Sequence, residues 1–166
     1  IFEEFDSSRQ LMSCDIEDAA ERRRIMATSA FGELFVSEWH DAGAVSTFNR
    51  DLDAMHVERC PVPEWQGETF GAIHRRLQQF QAGERGAGRS EVETAALASF
   101  PNPIGREGSF LLHLVRRYDR ELRWWFTVAN DRPEILKQLL FHEHMLPGFN
   151  DSGAHLINLA FFDGNL

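Results

Sequence analysis

The sequence predicts an α/β fold dominated by helix, on three observations. Helical periodicity runs through most of the first 121 residues, interrupted by one short alternating segment. From about residue 109 the order becomes helix, strand, helix, strand, which is the grammar of a parallel α/β unit. The 166 residues are 43% hydrophobic and include 14 Phe and 4 Trp. That is enough for a real core and too aromatic for a disordered chain.

Asp15-Ile16-Glu17-Asp18 reads as a helix start, with an N-cap acid and further acids in the first turn facing the helix dipole. Ile16, Ala19, Ala20, Met26, Ala30 and Leu34 keep helical spacing, and Gly32 is placed to break the run into two helices, the second ending near Trp39. Asp41-Ala42-Gly43 signals a turn. Residues 54–59 alternate, Met55 and Val57 against His56 and Glu58, as a short strand that Pro61 and Pro63 close. Thr69 caps a helix whose stripe is Phe70, Ile73, Leu77 and Phe80. Residues 82–88, rich in glycine, read as a flexible surface loop. Ser90-Glu91-Val92-Glu93 spells a capping box for a helix ending before Pro101. A further helix from about 109 to 120 carries Phe110, Leu111, Leu114, Val115 and Tyr118.

Residues 122–128 read as a buried strand, with Trp124 and Trp125 packing into the core. Asp131-Arg132-Pro133-Glu134 starts a helix with proline in its first turn, and Ile135, Leu136, Leu139 and Leu140 form its apolar stripe. A second strand is expected near 145–150. The chain thus divides into a helix-rich segment, 1–121, with one short strand, and a segment of late βα units, 122–166. No internal repeat is visible.

The formal charge of -9 makes a nucleic-acid partner unexpected, because affinity for a polyanion comes from Lys and Arg displacing counterions. Arg22-Arg23-Arg24 comes after Glu17, Asp18 and Glu21 and reads as a solvated helix face. Cys14 and Cys60 are too few for a disulfide framework or a zinc ribbon. No stretch approaches the roughly 20 apolar residues of a membrane span. The acidic start, Ile1-Phe2-Glu3-Glu4-Phe5-Asp6, lacks the basic region of a signal peptide, so a cytoplasmic home is the default expectation.

The segment that points to chemistry is Leu146-Pro147-Gly148-Phe149-Asn150-Asp151-Ser152-Gly153-Ala154-His155. An apolar approach runs into a carboxylate, then into a small-residue turn and a histidine. Asn130 comes after the first late strand and Asn150-Asp151 after the second, so a parallel unit sets both at one carboxyl-end rim, where barrel enzymes keep their active sites. Asp151 can there ligate a cation and take a proton from bound water. Asp-Ser-Gly is also good turn chemistry in its own right. His155 can orient substrate, steady Asp151 or pack the turn. Asn130 can cap the next helix or hydrogen-bond substrate. His40, His56, His74 and His113 are scattered and read as structural. The chain stops in the course of an unfinished hydrophobic segment, Leu156-Ile157-Asn158-Leu159-Ala160-Phe161-Phe162, which raises the expectation of a piece of a larger protein.

These residues carry a family resemblance. Trp125-Phe126-Thr127-Val128-Ala129-Asn130-Asp131, then Leu139-Leu140 and His142-Glu143-His144, then Leu146 through Leu156 resemble the late part of the amidohydrolase-3 group, the branch of the amidohydrolase superfamily that includes N-acyl-D-amino-acid deacylases (D-aminoacylases). The likeness covers residues 122–166, and from Phe5 to Arg120 it extends to element order alone. It implies a helix-rich fragment of a (β/α)8 barrel, a divalent metal (zinc by family habit), a small N-acyl amino acid as substrate, and Asp151 as the last-strand catalytic and metal-binding aspartate. From their place at the same rim, His155, Asn150 and Asn130 are the candidates to hold substrate. Asn150 departs from the pattern, where many relatives carry Ser. The family's first-strand His-x-His pair, bridging ligand and mid-barrel histidines have no match and would lie upstream of Ile1. Because a complete barrel takes about 250 residues, the chain alone is expected to be inactive and to self-associate.

His142-Glu143-His144 has the spelling of that metal pair but is expected at a helix end, where residues two apart point about 200° apart. On a strand they would share a face. The competing expectation is a self-contained, non-catalytic α+β module used for interaction.

Overall fold

The computed structural model describes residues 6–15, 17–41, 50–84, 88–126 and 133–144. The chain divides into two compact units, Ile1–Thr127 and Val128–Leu166. In the first unit lie α1 (Asp6–Met12), α2 (Ala19–Met26), α3 (Ser29–His40), β1 (Met55–Arg59), α4 (Phe70–Gln81), α5 (Glu91–Ala98), α6 (Glu107–Tyr118) and β2 (Arg123–Phe126). The second unit contributes α7 (Pro133–Leu140), which begins on its proline as the sequence suggests. Among the described residues, no helix is long and apolar enough to cross a membrane.

Helix α1 has no local start signal in the sequence because its cap comes from far along the chain. The Glu38 carboxylate of α3 accepts from the Asp6 backbone N–H at 2.6 Å and from the Ser7 hydroxyl at 2.5 Å. Helix α2 starts three residues later than expected. Asp18, not Asp15, is its N-cap, accepting from the N–H groups of Ala20 (2.8 Å) and Glu21 (3.2 Å). Asp15 instead closes its own turn by accepting from Glu17 N–H at 3.0 Å.

The break between α2 and α3 is not at Gly32. It falls at Ala27 and Thr28, where the Thr28 hydroxyl caps α3 by accepting from Phe31 N–H at 3.2 Å. Gly32 lies inside α3 for a packing reason. A Cβ there would come within 3.2 Å of Leu112 Cδ2 and 2.6 Å of Arg116 Nη2, so glycine lets α6 pass close. Arg116 uses that passage to donate to the carbonyl of Met26, the last residue of α2 (2.6 Å), and to that of Thr28, the cap of α3 (3.0 Å). The buried stripe of α3 runs through Phe31, with Phe35 and Trp39 stacked beyond it at 6.2 and 6.3 Å, whereas the expected Ala30 is exposed.

The strand in 54–59 forms as expected, and it pairs with the strand expected at 122–128. β1 and β2 make a two-stranded antiparallel sheet in which His56 faces Trp125 and Val57 faces Trp124. Period-two alternation says which residues share a face and nothing about which strand lies alongside. On its other side β1 holds the chain at residues 67–69, through Val57 N–H to Glu68 O (2.9 Å), Gly67 N–H to Val57 O (2.8 Å) and a bridge from His56 to Thr69. The expected strand near 145–150 lies outside the described residues.

The inner face of the sheet closes over α4, α5 and α6. Trp65, Phe70, Ile73, Leu77, Phe110 and Leu114 are wholly buried there. Phe110 sits edge-on to Phe70 at 6.4 Å and stacks on Phe100 at 5.5 Å. Trp124 packs against Phe70 at 5.7 Å, as expected for a core aromatic, but Trp125 points outward and is 47% exposed.

The Arg22-Arg23-Arg24 run is only partly a solvated face. Arg23 and Arg24 are exposed, while Arg22 is buried and grips Asp119 with two bonds, Nε to Oδ1 at 3.2 Å and Nη2 to Oδ2 at 2.8 Å. Asp119 ends α6 at φ 46°, a backbone region costly for a non-glycine residue. The paired Arg22 fork fixes that carboxylate and with it the corner that turns α6 toward β2.

Candidate functional site

The sequence-predicted site residues Asn130, Asn150, Asp151 and His155 all lie outside the described residues. The described part of the second unit ends at His142-Glu143-His144, which corrects their expected place: they come after α7 in a turn and do not form its last residues. His144 N–H donates to His142 Nδ1 at 3.2 Å, the two rings are 5.5 Å apart, and the segment is exposed. A ring nitrogen that accepts a backbone N–H is not free to ligate through that atom. Among the described residues no group of three His, Cys, Asp or Glu side chains is placed to hold a metal ion.

The first unit builds its polar chemistry around α4 and α5. Ser90 caps α5 by accepting from Glu93 N–H at 3.0 Å, the half of the capping box that the sequence spells. The other half does not form. The Ser90 hydroxyl beside Glu64 holds that carboxyl below the usual range, while Glu64 Oε2 is buried with no hydrogen-bond partner among the described residues. The Glu93 side chain turns inward, where it is almost wholly buried. It accepts from the Trp65 indole Nε1 at 3.0 Å and faces Arg76 Nη1 at 3.3 Å. Arg76 reaches Glu68 at 3.3 Å with its other nitrogen. A buried carboxylate with both a cation and an indole donor is a satisfied ion pair that ties the segment before α4 to α5. Sequence spacing offers no cue to it, because Trp65 is 28 positions from Glu93.

Two histidines pack in the same body, His74 buried and His113 half-buried. His74 packs on Phe110 at 4.8 Å, with its Nε2 lacking a hydrogen-bond partner among the described residues. His113 packs on Phe100 at 4.1 Å, with its Nε2 3.2 Å from the Ser99 hydroxyl. That hydroxyl spends its one hydrogen on Ala96 O at 2.6 Å, so His113 Nε2 is the donor and the ring is the Nε2–H tautomer. Burial pushes both imidazoles below their ordinary range. For His113 the charges of Arg117 and Arg116 add to the effect; for His74 Glu107 opposes it and Arg75 adds. Both therefore pack against aromatic side chains of the core.

The sign of these shifts sets a stability prediction. The unfolded chain binds protons at these two sites below about pH 6.5 while the folded chain does not. Their contribution is present above that pH and falls away as the pH drops through the lowered folded values. Urea unfolding at pH 7.5 and 5.5 should show lower stability at 5.5, and His113→Gln should flatten the difference. A stability that is level across this window would contradict the assignment.

The remaining surface features are simpler. An open groove of about 570 Å³ between α3 and α6 is lined in part by Gly32, Val36, Leu112, Arg106 and Arg116. Its Arg116 is already committed to the carbonyls of Met26 and Thr28. Cys60 donates to Val62 O at 3.0 Å, and burial raises its thiol above the ordinary range, which makes it a poor nucleophile. The described body is thus a packed helix-rich α/β scaffold in which Glu93, Trp65 and Arg76 are joined by a hydrogen bond and an ion pair.

Comparison with known proteins adds relatives but no activity. The chain is 29% identical over 167 aligned residues to uncharacterized proteins of Mycobacterium tuberculosis and Mycobacterium bovis. The match takes in all of this chain and 23% of each relative, so the chain spans about a quarter of their length. No family model matches it. No solved structure matches it.

Proposed function

We propose that this chain is the late-barrel part of a metal-dependent hydrolase of amide bonds, similar to N-acyl-D-amino-acid deacylases and inactive by itself. The observation that carries the reading is the string from Leu146 to His155, in which a carboxylate succeeds an apolar run and precedes Ser152-Gly153-Ala154-His155. The longer mycobacterial relatives give it support, since a polypeptide of which this chain is 23% has room for a whole barrel and the missing histidines. In this reading Asp151 accepts the proton of the attacking water and returns a proton to the departing amine. His155, Asn150 and Asn130 hold the small N-acyl amino acid. Zinc is the expected metal, with its other ligands outside this chain; when bound it polarises the carbonyl and acidifies water. The enzyme works in the cytoplasm.

A second reading has its own observation in favour. The described first unit closes a core of its own around an antiparallel ribbon, as a non-catalytic α+β interaction module would.

The test separates the two. The longest polypeptide that carries this sequence, supplied with zinc or manganese, should hydrolyse N-acyl-D-amino acids. The 166-residue chain alone should not, since one carboxylate cannot stand in for at least three protein ligands. Turnover by the chain alone would overturn the fragment reading, and silence of the longer polypeptide across a panel of acyl-amino acids would overturn the hydrolase. The chain alone should also self-associate in sedimentation, because Ile135, Leu139 and Leu140 of α7 are exposed. A clean monomer would count against the fragment reading.

A further inference from the structure

We propose that the outer face of the β1–β2 ribbon binds a phosphate ester carried on a planar ring, of which a nucleoside monophosphate is the type. Arg59 and Arg123 take the phosphate, and the open indole of Trp125 takes the ring. The charge pattern singles out the two arginines. The chain has a formal charge of -9, and acids claim many of its guanidinium groups: Arg22 holds Asp119, Arg75 holds Asp53, Arg76 holds Glu93 and Arg120 holds Glu17. Arg59 and Arg123 differ. They are direct partners across the two strands, so their side chains leave from one face. Both are exposed, and neither has an ion pair or a side-chain hydrogen bond among the described residues. Glu58, at the irregularity in the ladder beside them, pairs with neither. Like charges set opposite one another weaken a sheet. A dianion shared between them removes that repulsion and fits two guanidinium forks.

The other half of the site is aromatic. Trp125 comes two residues after Arg123 and shares its face. The His56 ring lies flat against the indole, 4.3 Å away and 8° from parallel. That stack steadies the indole and leaves 47% of Trp125 open, whereas Trp39, Trp65 and Trp124 belong to or pack against the core. Two residues along a strand span about 7 Å, the reach of a sugar that joins a base to its phosphate. Stacking on an indole suits any base, because each has a π face. The overall charge selects a single nucleotide over a polymer: further phosphates would meet the acidic remainder of the chain with no cation to receive them. The proposal goes beyond the hydrolase reading and needs nothing from Asp151.

Calorimetric titration of the 166-residue chain with AMP, adenosine and inorganic phosphate tests it. AMP should bind at least about tenfold more tightly than either fragment of itself, and more weakly as salt is raised. Arg59→Gln and Arg123→Gln should each weaken AMP about tenfold, and Trp125→Leu about fivefold or more. In the unmutated protein, the indole N–H resonance of Trp125 should shift with AMP while that of the wholly buried Trp65 stays in place. No binding at millimolar AMP would overturn the proposal. Phosphate that binds as tightly as AMP would overturn it too, since the ring would then play no part. So would AMP binding that both arginine variants retain, which would put the nucleotide elsewhere. A single-stranded oligonucleotide that binds more tightly than AMP would make the partner a nucleic acid. Any of these results would leave the hydrolase assay untouched, and loss of hydrolysis would leave AMP binding untouched.

Discussion

Glu93→Ala should cost about 3 kcal/mol or more of folding free energy, at the lower end of what breaking a buried ion pair costs because Arg76 is partly exposed. Three losses add. The Trp65 indole N–H, on a fully buried ring, is left without an acceptor. Arg76 keeps only Glu68 at the surface. A small void opens beneath α5. Glu93→Gln separates the terms, since its amide oxygen still accepts from Trp65 and fills the same space, so it should cost only about 1 kcal/mol. Urea unfolding of the three proteins gives the order. If Gln proves as costly as Ala, the charge facing Arg76 outweighs the indole bond. If Ala costs nearly nothing, this network does not hold α5 to the segment before α4.

That network also shows where sequence reading stops. Ser90 is a helix cap in the sequence and in the fold, because capping depends on a residue and the next three positions. Thr69, Pro133 and the alternation at 55–59 were legible for the same local reason. What failed depends on distant partners. Arg22 reads as one of three solvated arginines until Asp119, 97 positions away, takes it inside. Helix α1 is capped by a glutamate 31 or 32 positions downstream. β2 has the composition of a buried strand, and its antiparallel partner β1 lies far upstream, where the local helix–strand order gives no cue to it. Trp124 and Trp125 are adjacent in sequence and opposite in fate, since neighbours on a strand face opposite ways. The candidate site is a different case. Asp151 and its companions are legible as a motif, and they fall outside the described residues, so the chemistry proposed for them rests on residue type and order.

Asp151→Asn in the longest polypeptide that carries this sequence should therefore lower kcat for N-acyl-D-amino acids by about 10²–10⁴-fold, the usual worth of a general acid–base group. Asparagine keeps the size of aspartate and its aptitude for the turn before Ser152-Gly153, so a role in the turn alone predicts little change. It cannot carry a proton between water and amine at neutral pH. The two accounts differ further in pH dependence. If Asp151 moves the proton, the acid limb of the kcat/KM profile should vanish in the variant along with the activity; if it only shapes the turn, that limb should survive on a lower or higher KM. Asn150→Ser, which restores the residue common in the resembled family, should shift KM and leave kcat nearly unchanged. His142→Ala and His144→Ala should leave both constants close to the parent's, because His142 already accepts the His144 N–H and the pair faces solvent. Should the histidine variants lose activity while Asp151→Asn keeps it, the metal and the proton transfer belong to His142-Glu143-His144, and the assignment made from the string around Asp151 is reversed.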